Sequence, residues 1–109
     1  MWICLNNAFF SIVTDRNNSD RLLVRARRRG DIETVFCAAP ALNVTIDTAA
    51  DYWYRAFIDR KIVSIVIACN VEAIDYDNFK NSVQDERLRH AYGQFWQTMW
   101  NLQHGEDRH

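Results

Sequence analysis

The spacing of apolar residues changes from that of a strand to that of a helix at Asp59. Before it, "RLLVRAR" at 21–27 and "YWYRAFI" at 52–58 alternate between two faces, which is typical of half-buried strands. After it, apolar residues follow helical spacing, at Val63, Val66, Ile67, Val71 and Ile74. Their β-branched side chains favour a strand instead, but the segment length and Asp59 as a cap favour a helix.

Two strands are predicted at the start of the chain and a further one near its middle. "WICL" at 2–5 and "AFFSIV" at 8–13 flank two asparagines, which tolerate the backbone of a tight hairpin. "LNVTI" at 42–46 alternates in the same way. Together with the two segments above, this makes five strands.

Two further helices are predicted from breakers and periodicity. Gly30 ends the third strand, and Asp31 can cap a short helix over 32–39 that stops before Pro40. A long helix from Gln84 to Gln103 carries an apolar stripe, at Leu88, Tyr92, Phe95, Met99 and Leu102.

This order of elements, β-β-β-α-β-β-α-α, predicts an α+β fold. A right-handed crossover from the third strand to the fourth leaves room for the fifth strand between them. The predicted sheet is antiparallel with strand order 1-2-3-5-4, a variant of the ferredoxin-like plait with helices mainly on one face. We expect one domain over residues 1–103 and a frayed tail over 104–109.

The cysteines and the leader region indicate the cytoplasm. Cys4, Cys37 and Cys69 form no CxxC pair, so we expect buried free thiols rather than a zinc site or a disulfide. The first residues lack a basic leader, and the longest apolar run, "IVSIVIAC" at 62–69, is too short to span a bilayer. We expect no membrane association and no cofactor.

A cluster of arginines offers one candidate binding site. Arg25, Arg27, Arg28 and Arg29 crowd one segment, and Arg55 lies on a neighbouring strand. Such a cluster beside Tyr52 and Trp53 is typical of single-strand nucleic-acid binders, although the RNP pattern is missing. The formal net charge of −1 argues against nucleic acid as the main partner.

The connector "AIDYDNFK" at 73–80 is the second candidate. Its acids, Asp75 and Asp77, could hold a divalent metal, but the segment lacks EF-hand spacing. The sequence favours a structural joint instead, in which the acids pair with Arg25, Arg27 or Arg55. The remaining candidate binding residues of the connector are Tyr76, Asn78 and Lys80.

Several quoted segments resemble a family of small uncharacterised bacterial proteins. They are "MW…FFSIV", "LLVRARRRGDIE", "DYWYR", "DYDNFK" and the closing "YGQFWQTMWNLQ". The resemblance spans nearly the whole chain and implies one compact bacterial domain, without an established activity.

The sequence favours a protein that binds another protein and has no enzymatic activity. No GxSxG motif, glycine-rich phosphate loop or Cys–His pair is present, and no catalytic or metal-binding residue is assigned. The expected state is a monomer or a homodimer. Two alternatives stay open: a nucleic-acid or phosphate binder using Arg25–Arg29, and a metal-dependent enzyme centred on Asp75 and Asp77.

Overall fold

An antiparallel sheet of five strands dominates the first 75 residues of the computed structural model, which describes residues 1–106. The strands are β1 (Trp2–Cys4), β2 (Phe9–Thr14), β3 (Arg21–Ala26), β4 (Thr45–Ile46) and β5 (Tyr54–Asp59). Their order in the sheet is β1-β2-β3-β5-β4, with every pair antiparallel. The predicted fold class and strand order are therefore confirmed.

Four helices complete the described chain: α1 (Asp31–Phe36), α2 (Arg60–Glu72), α3 (Phe79–Ser82) and α4 (Glu86–Glu106). The chain divides into two compact units, Met1–Asp75 with the sheet, α1 and α2, and Tyr76–His109 with α3 and α4. The short helix α3 lies in the connector and is absent from the predicted order. The prediction of one domain over 1–103 stays a prediction.

The core of the first unit lies on one face of the sheet. Cross-strand neighbours Phe10, Ala26 and Tyr54 alternate with residues of the opposite face, because side chains along a strand point to opposite faces. Ile32 and Phe36 of α1 and Val63 of α2 belong to the same buried cluster. The alternation predicted for the third and fifth strands is thus observed.

The start of α1 differs from the prediction that Asp31 caps it. Gly30 occupies the cap position with a left-handed backbone, φ 91°, which suits a residue without Cβ. Asp31 is instead the first helical residue, and its buried carboxylate accepts from the backbone N–H of Phe9 at 3.1 Å. Arg28 donates to the same carboxylate at 2.9 and 3.2 Å. The carboxylate therefore ties α1 to the start of β2.

Three predicted elements extend beyond the helix or strands that the structure shows. The helix predicted over 32–39 ends at Phe36, where the backbone N–H of Ala39 bonds back to the Phe36 carbonyl in a turn. The strand predicted over 42–46 is reduced to the two residues of β4, after Ala41 with its positive φ of 54°. The strand predicted over 52–58 begins at Tyr54, because the preceding residues bend out of the ladder.

Helix α2 begins at Arg60, directly after Asp59, where the sequence predicted the change from strand spacing to helical spacing. The Asp59 side chain accepts from the backbone N–H of Lys61 at 3.2 Å, so the predicted cap is present. Ile62, Val66 and Ile67 pack against the core with Val63. The helical interpretation of this β-branched segment is confirmed up to Glu72, because core packing outweighs its weak helix propensity. Val71 is exposed, however, and Ile74 lies beyond the end of the helix and is exposed too.

All three cysteines are free thiols, but they are not all buried as predicted. Cys37 and Cys69 are exposed, since Cys37 lies just after the end of α1 and Cys69 lies on the outer side of α2. Cys4 is half-buried, and burial raises the pKa of its thiol.

The second unit is a short helix followed by a long one. The Asp85 carboxylate accepts from the backbone N–H of Leu88 at 3.0 Å, so α4 begins with a side-chain bond to its first turn. It ends at Glu106, beyond the predicted end at Gln103, because Gly105 keeps a negative φ and does not terminate it. Within residues 1–106, none of the helices has the length and apolar character required to cross a bilayer.

The apolar stripe of α4 changes character along the helix. Leu88 and Tyr92 are buried and Phe95 is half-buried, whereas Met99 and Leu102 are exposed. Residues 104–106 of the predicted frayed tail belong to α4 instead, and residues 107–109 lie outside the described part.

Candidate functional site

The connector "AIDYDNFK" supplies a helix cap and an aromatic cluster to the second unit. Asn78 precedes α3, and its side-chain oxygen accepts from the backbone N–H of Asn81 at 3.1 Å. The Phe79 ring lies between two others, 5.8 Å from Tyr76 and 5.5 Å from Tyr92. Four residues of the connector therefore have a structural role: Tyr76, Asn78, Phe79 and Lys80, which contacts Trp96.

The charged residues of the connector lie on the surface. Lys80 places its ammonium group 4.7 Å from the centre of the Trp96 ring, a cation–π distance. Asp75 and Asp77 are both exposed, and neither carboxylate forms an ion pair within the described residues of its own unit. The proposed pairing of Asp75 with Arg25, Arg27 or Arg55 is thus absent. Pairing of Asp77 with them stays a prediction.

The geometry offers no support for a metal at these two acids. Among residues 1–106, no three histidine, cysteine, aspartate or glutamate side chains come together as potential ligands. Two exposed carboxylates alone bind a divalent ion weakly, because such ions take six or more oxygens. The metal-dependent alternative therefore has no observation in its favour.

Two of the predicted arginines converge on one tyrosine ring. The guanidinium carbons of Arg25 and Arg27 lie 4.5 and 4.1 Å from the centre of the Tyr52 ring. Tyr52 is buried, and it reaches these arginines because it lies in the bend before β5 rather than in the strand. Arg25 also donates to the buried Ser11 hydroxyl at 3.0 Å, and Arg27 to the Asp51 carbonyl at 3.0 Å.

The other two members of the arginine cluster are directed elsewhere. Arg28 forms the ion pair with Asp31 described above and serves the fold. Arg29 is exposed and lies 5.5 Å from the ring of Tyr54, whose side chain belongs to the core. The structure therefore separates a cluster that is continuous in sequence.

Arg55 joins Arg25 on the sheet face opposite the core. The two residues are paired in register across β3 and β5, so their like charges lie side by side. Trp53 and Phe57 flank Arg55 in sequence, and 47% and 51% of their surfaces are exposed. We call this set the arginine–aromatic surface; its members are Arg25, Arg27, Tyr52, Trp53, Arg55 and Phe57.

The arginines of this surface form no ion pair with a carboxylate within the described residues of the first unit. The ion pairs within the described chain are Arg21–Asp15 at 2.8 Å and Arg28–Asp31 at 2.9 Å. Arg25, Arg27 and Arg55 form none within the first unit, and the Nε of Arg25 is buried without a hydrogen-bond partner among the described residues. Like charges directly opposite each other on neighbouring strands lower the stability of the sheet when no counter-ion lies beside them.

A second polar feature, not predicted from the sequence, is a cleft of about 830 Å³ in the second unit. It lies along one side of α4, and its lining residues are Lys80, Asn81, Glu86, Arg89, His90, Gly93, Gln94 and Gln97. A Cβ built on Gly93 would meet no atom within 4 Å, so packing does not require glycine there. The helical spacing of the polar residues from Glu86 to Gln97 was the signal available.

Comparisons with known proteins identify no relative. No protein-family model matches the chain, and searches of curated proteins and of solved structures find no significant match. The resemblance to a family of small bacterial proteins therefore stays an expectation.

Proposed function

We propose that the protein is a non-enzymatic interaction module that binds an acidic segment of another protein through the arginine–aromatic surface. The observation that supports this most directly is the set of three arginines without a carboxylate partner in their unit, beside two half-exposed aromatic rings. Arginine, tryptophan and tyrosine are the residues enriched at the energetic centres of protein interfaces.

The stacking of Arg25 and Arg27 on Tyr52 prepares them for a carboxylate. A guanidinium held against a ring has lost part of its conformational freedom before binding, and the N–H groups of Arg27 that do not bond the Asp51 carbonyl can still donate hydrogen bonds. An arginine fork grips a carboxylate with two parallel hydrogen bonds. Trp53 and Phe57 then offer apolar area to a side chain next to the acid.

Overall charge supports protein over nucleic acid as the partner. The formal net charge is −1 and the sequence isoelectric point is about 6.3, whereas nucleic-acid-binding domains are usually strongly basic. One observation favours the alternative: an exposed Trp53 next to arginines resembles a stacking platform for single-stranded nucleic acid. Free, exposed thiols at Cys37 and Cys69 support a reducing compartment and hence the cytoplasm.

Peptide selection tests the proposal without a known partner. A random peptide library is selected on the wild-type protein, and the enriched peptides are measured by fluorescence anisotropy. We expect peptides with clustered Asp or Glu beside an aromatic residue, and binding that weakens as salt is added. Arg27→Gln and Arg55→Gln should each lower affinity about fivefold, as the loss of one exposed charge pair does.

The matched control is Arg16→Gln, which removes the same charge from an exposed loop position of the same unit. It should leave peptide affinity within about twofold, because screened charges outside the surface contribute little. A labelled oligothymidine is measured in parallel. Tighter, Arg27-dependent binding of the oligonucleotide would replace the proposed function with the second candidate. Peptide binding that is insensitive to both arginine variants would refute the role of this surface.

A further inference from the structure

The outer side of α2 carries an apolar stripe where a helix on a sheet is usually polar. Ile65, Ala68 and Cys69 are exposed there, whereas Val63 and Val66 on the opposite side pack into the core. Ile65 alone has 58% of its surface exposed. A depression of about 530 Å³ follows the stripe, lined by Ile65, Ala68, Cys69, Glu72 and Ala73.

The order of residue types along this stripe is self-complementary. Lys61, Ile65, Ala68 and Glu72 are spaced by four, three and four residues, which places them on one face of the helix. The spacing is the same in both directions along the chain. A charged residue stands at each end with opposite sign, and a large and a small apolar residue stand between them.

We propose that two copies of this chain associate through α2, with the two helices antiparallel about a two-fold axis between Ile65 and Ala68. In this arrangement Lys61 meets Glu72 of the partner subunit at both ends. The Ile65 side chain of each subunit enters the depression of the other subunit, next to Ala68 of the partner subunit. A large side chain thus lies opposite a small one. Each contact occurs twice, as in any isologous interface.

The charges select this arrangement over the parallel one. A parallel pair would place Lys61 against Lys61 and Glu72 against Glu72, which repel. Small residues at 68, 69 and 73 let the helix backbones approach closely, because short side chains leave little between them. With one helix of 13 residues contributing, the association is weak and concentration-dependent.

Charge reversal tests both the partner and the orientation. Sedimentation velocity under reducing conditions, from about 1 µM to about 1 mM protein, measures dimerisation. Lys61→Glu and Glu72→Lys should each weaken it about tenfold, since symmetry doubles every repulsive pair. The double variant K61E/E72K should restore the wild-type constant, because the reversed charges attract again.

Two further variants separate the stripe from general effects on α2. Ile65→Asp should abolish the dimer. Val71→Asp should not, although Val71 is 59% exposed on the same helix, because it points to the side of the stripe. Circular dichroism confirms that each variant folds. A wild-type chain that stays monomeric, a double variant no better than its single parents, or equal effects of I65D and V71D would each overturn the proposal.

Discussion

Replacing Asp31 with alanine tests the contact that joins α1 to the sheet. The carboxylate is buried and accepts three hydrogen bonds, one from the backbone N–H of Phe9 and two from Arg28. The bond to the backbone is charge-assisted and contributes about 2 kcal/mol. The Arg28 side chain is 37% exposed and is rehydrated when its partner is lost, so the ion pair adds only about 1 kcal/mol. We expect Asp31→Ala to lower the free energy of unfolding by about 3 kcal/mol.

Urea unfolding followed by circular dichroism measures this loss. Glu33→Ala is the matched control, since Glu33 is an exposed acid in the same first turn and carries the same charge. Both variants lose a similar favourable interaction with the helix dipole, so that contribution cancels in the comparison. Glu33→Ala should cost about 0.5 kcal/mol or less. A difference between the variants below about 1 kcal/mol would show that the Asp31 carboxylate is solvated rather than structural.

Three other outcomes follow from individual contacts. The backbone N–H of Asn17 and the Arg21 side chain lower the pKa of the Asp15 carboxylate. The stabilising effect of this carboxylate is therefore complete above about pH 4 and is lost as the pH falls further. In an acid titration, the Asp15→Asn variant should lose stability less steeply than the wild-type protein. Asn78→Ala should destabilise α3 by about 1 kcal/mol, read as faster amide exchange at Asn81, and unchanged exchange would remove its capping role. Maleimide labelling under native conditions should modify the two exposed cysteines before Cys4, whose raised thiol pKa leaves less thiolate; simultaneous labelling would contradict the burial of Cys4.

Much of the sheet could be predicted because the alternation of apolar and polar residues shows which side of each strand faces the core. Val24 and Arg25 point to opposite sides in any strand, so the alternation assigned one side to the core before any partner was known. The position of β5 between β3 and β4 was predicted by placing the fifth strand in the space that the crossover leaves, a choice that the handedness rule allows but does not require.

The candidate site could be predicted only in part, because it depends on where strands stop. Arg25 and Arg55 were assigned to strands, and their pairing follows from the strand order. Tyr52 was placed in the alternating strand, whereas it lies in the bend that lets its ring reach Arg25 and Arg27. The Asp31 contact with Phe9 was also hidden, since nothing local distinguishes a capping carboxylate from one that bonds a distant strand.

The insertion of β5 between β3 and β4 has a consequence for the order of folding. β1, β2 and β3 are joined by short turns and can pair as soon as they are made, whereas β5 follows α1, β4 and their connections. Until β5 arrives, the edge of β3 that becomes the centre of the sheet has no strand beside it, and such an edge can pair with another chain. During synthesis, this edge of β3 therefore stays open to pairing with another chain from the completion of the third strand until the fifth strand is made.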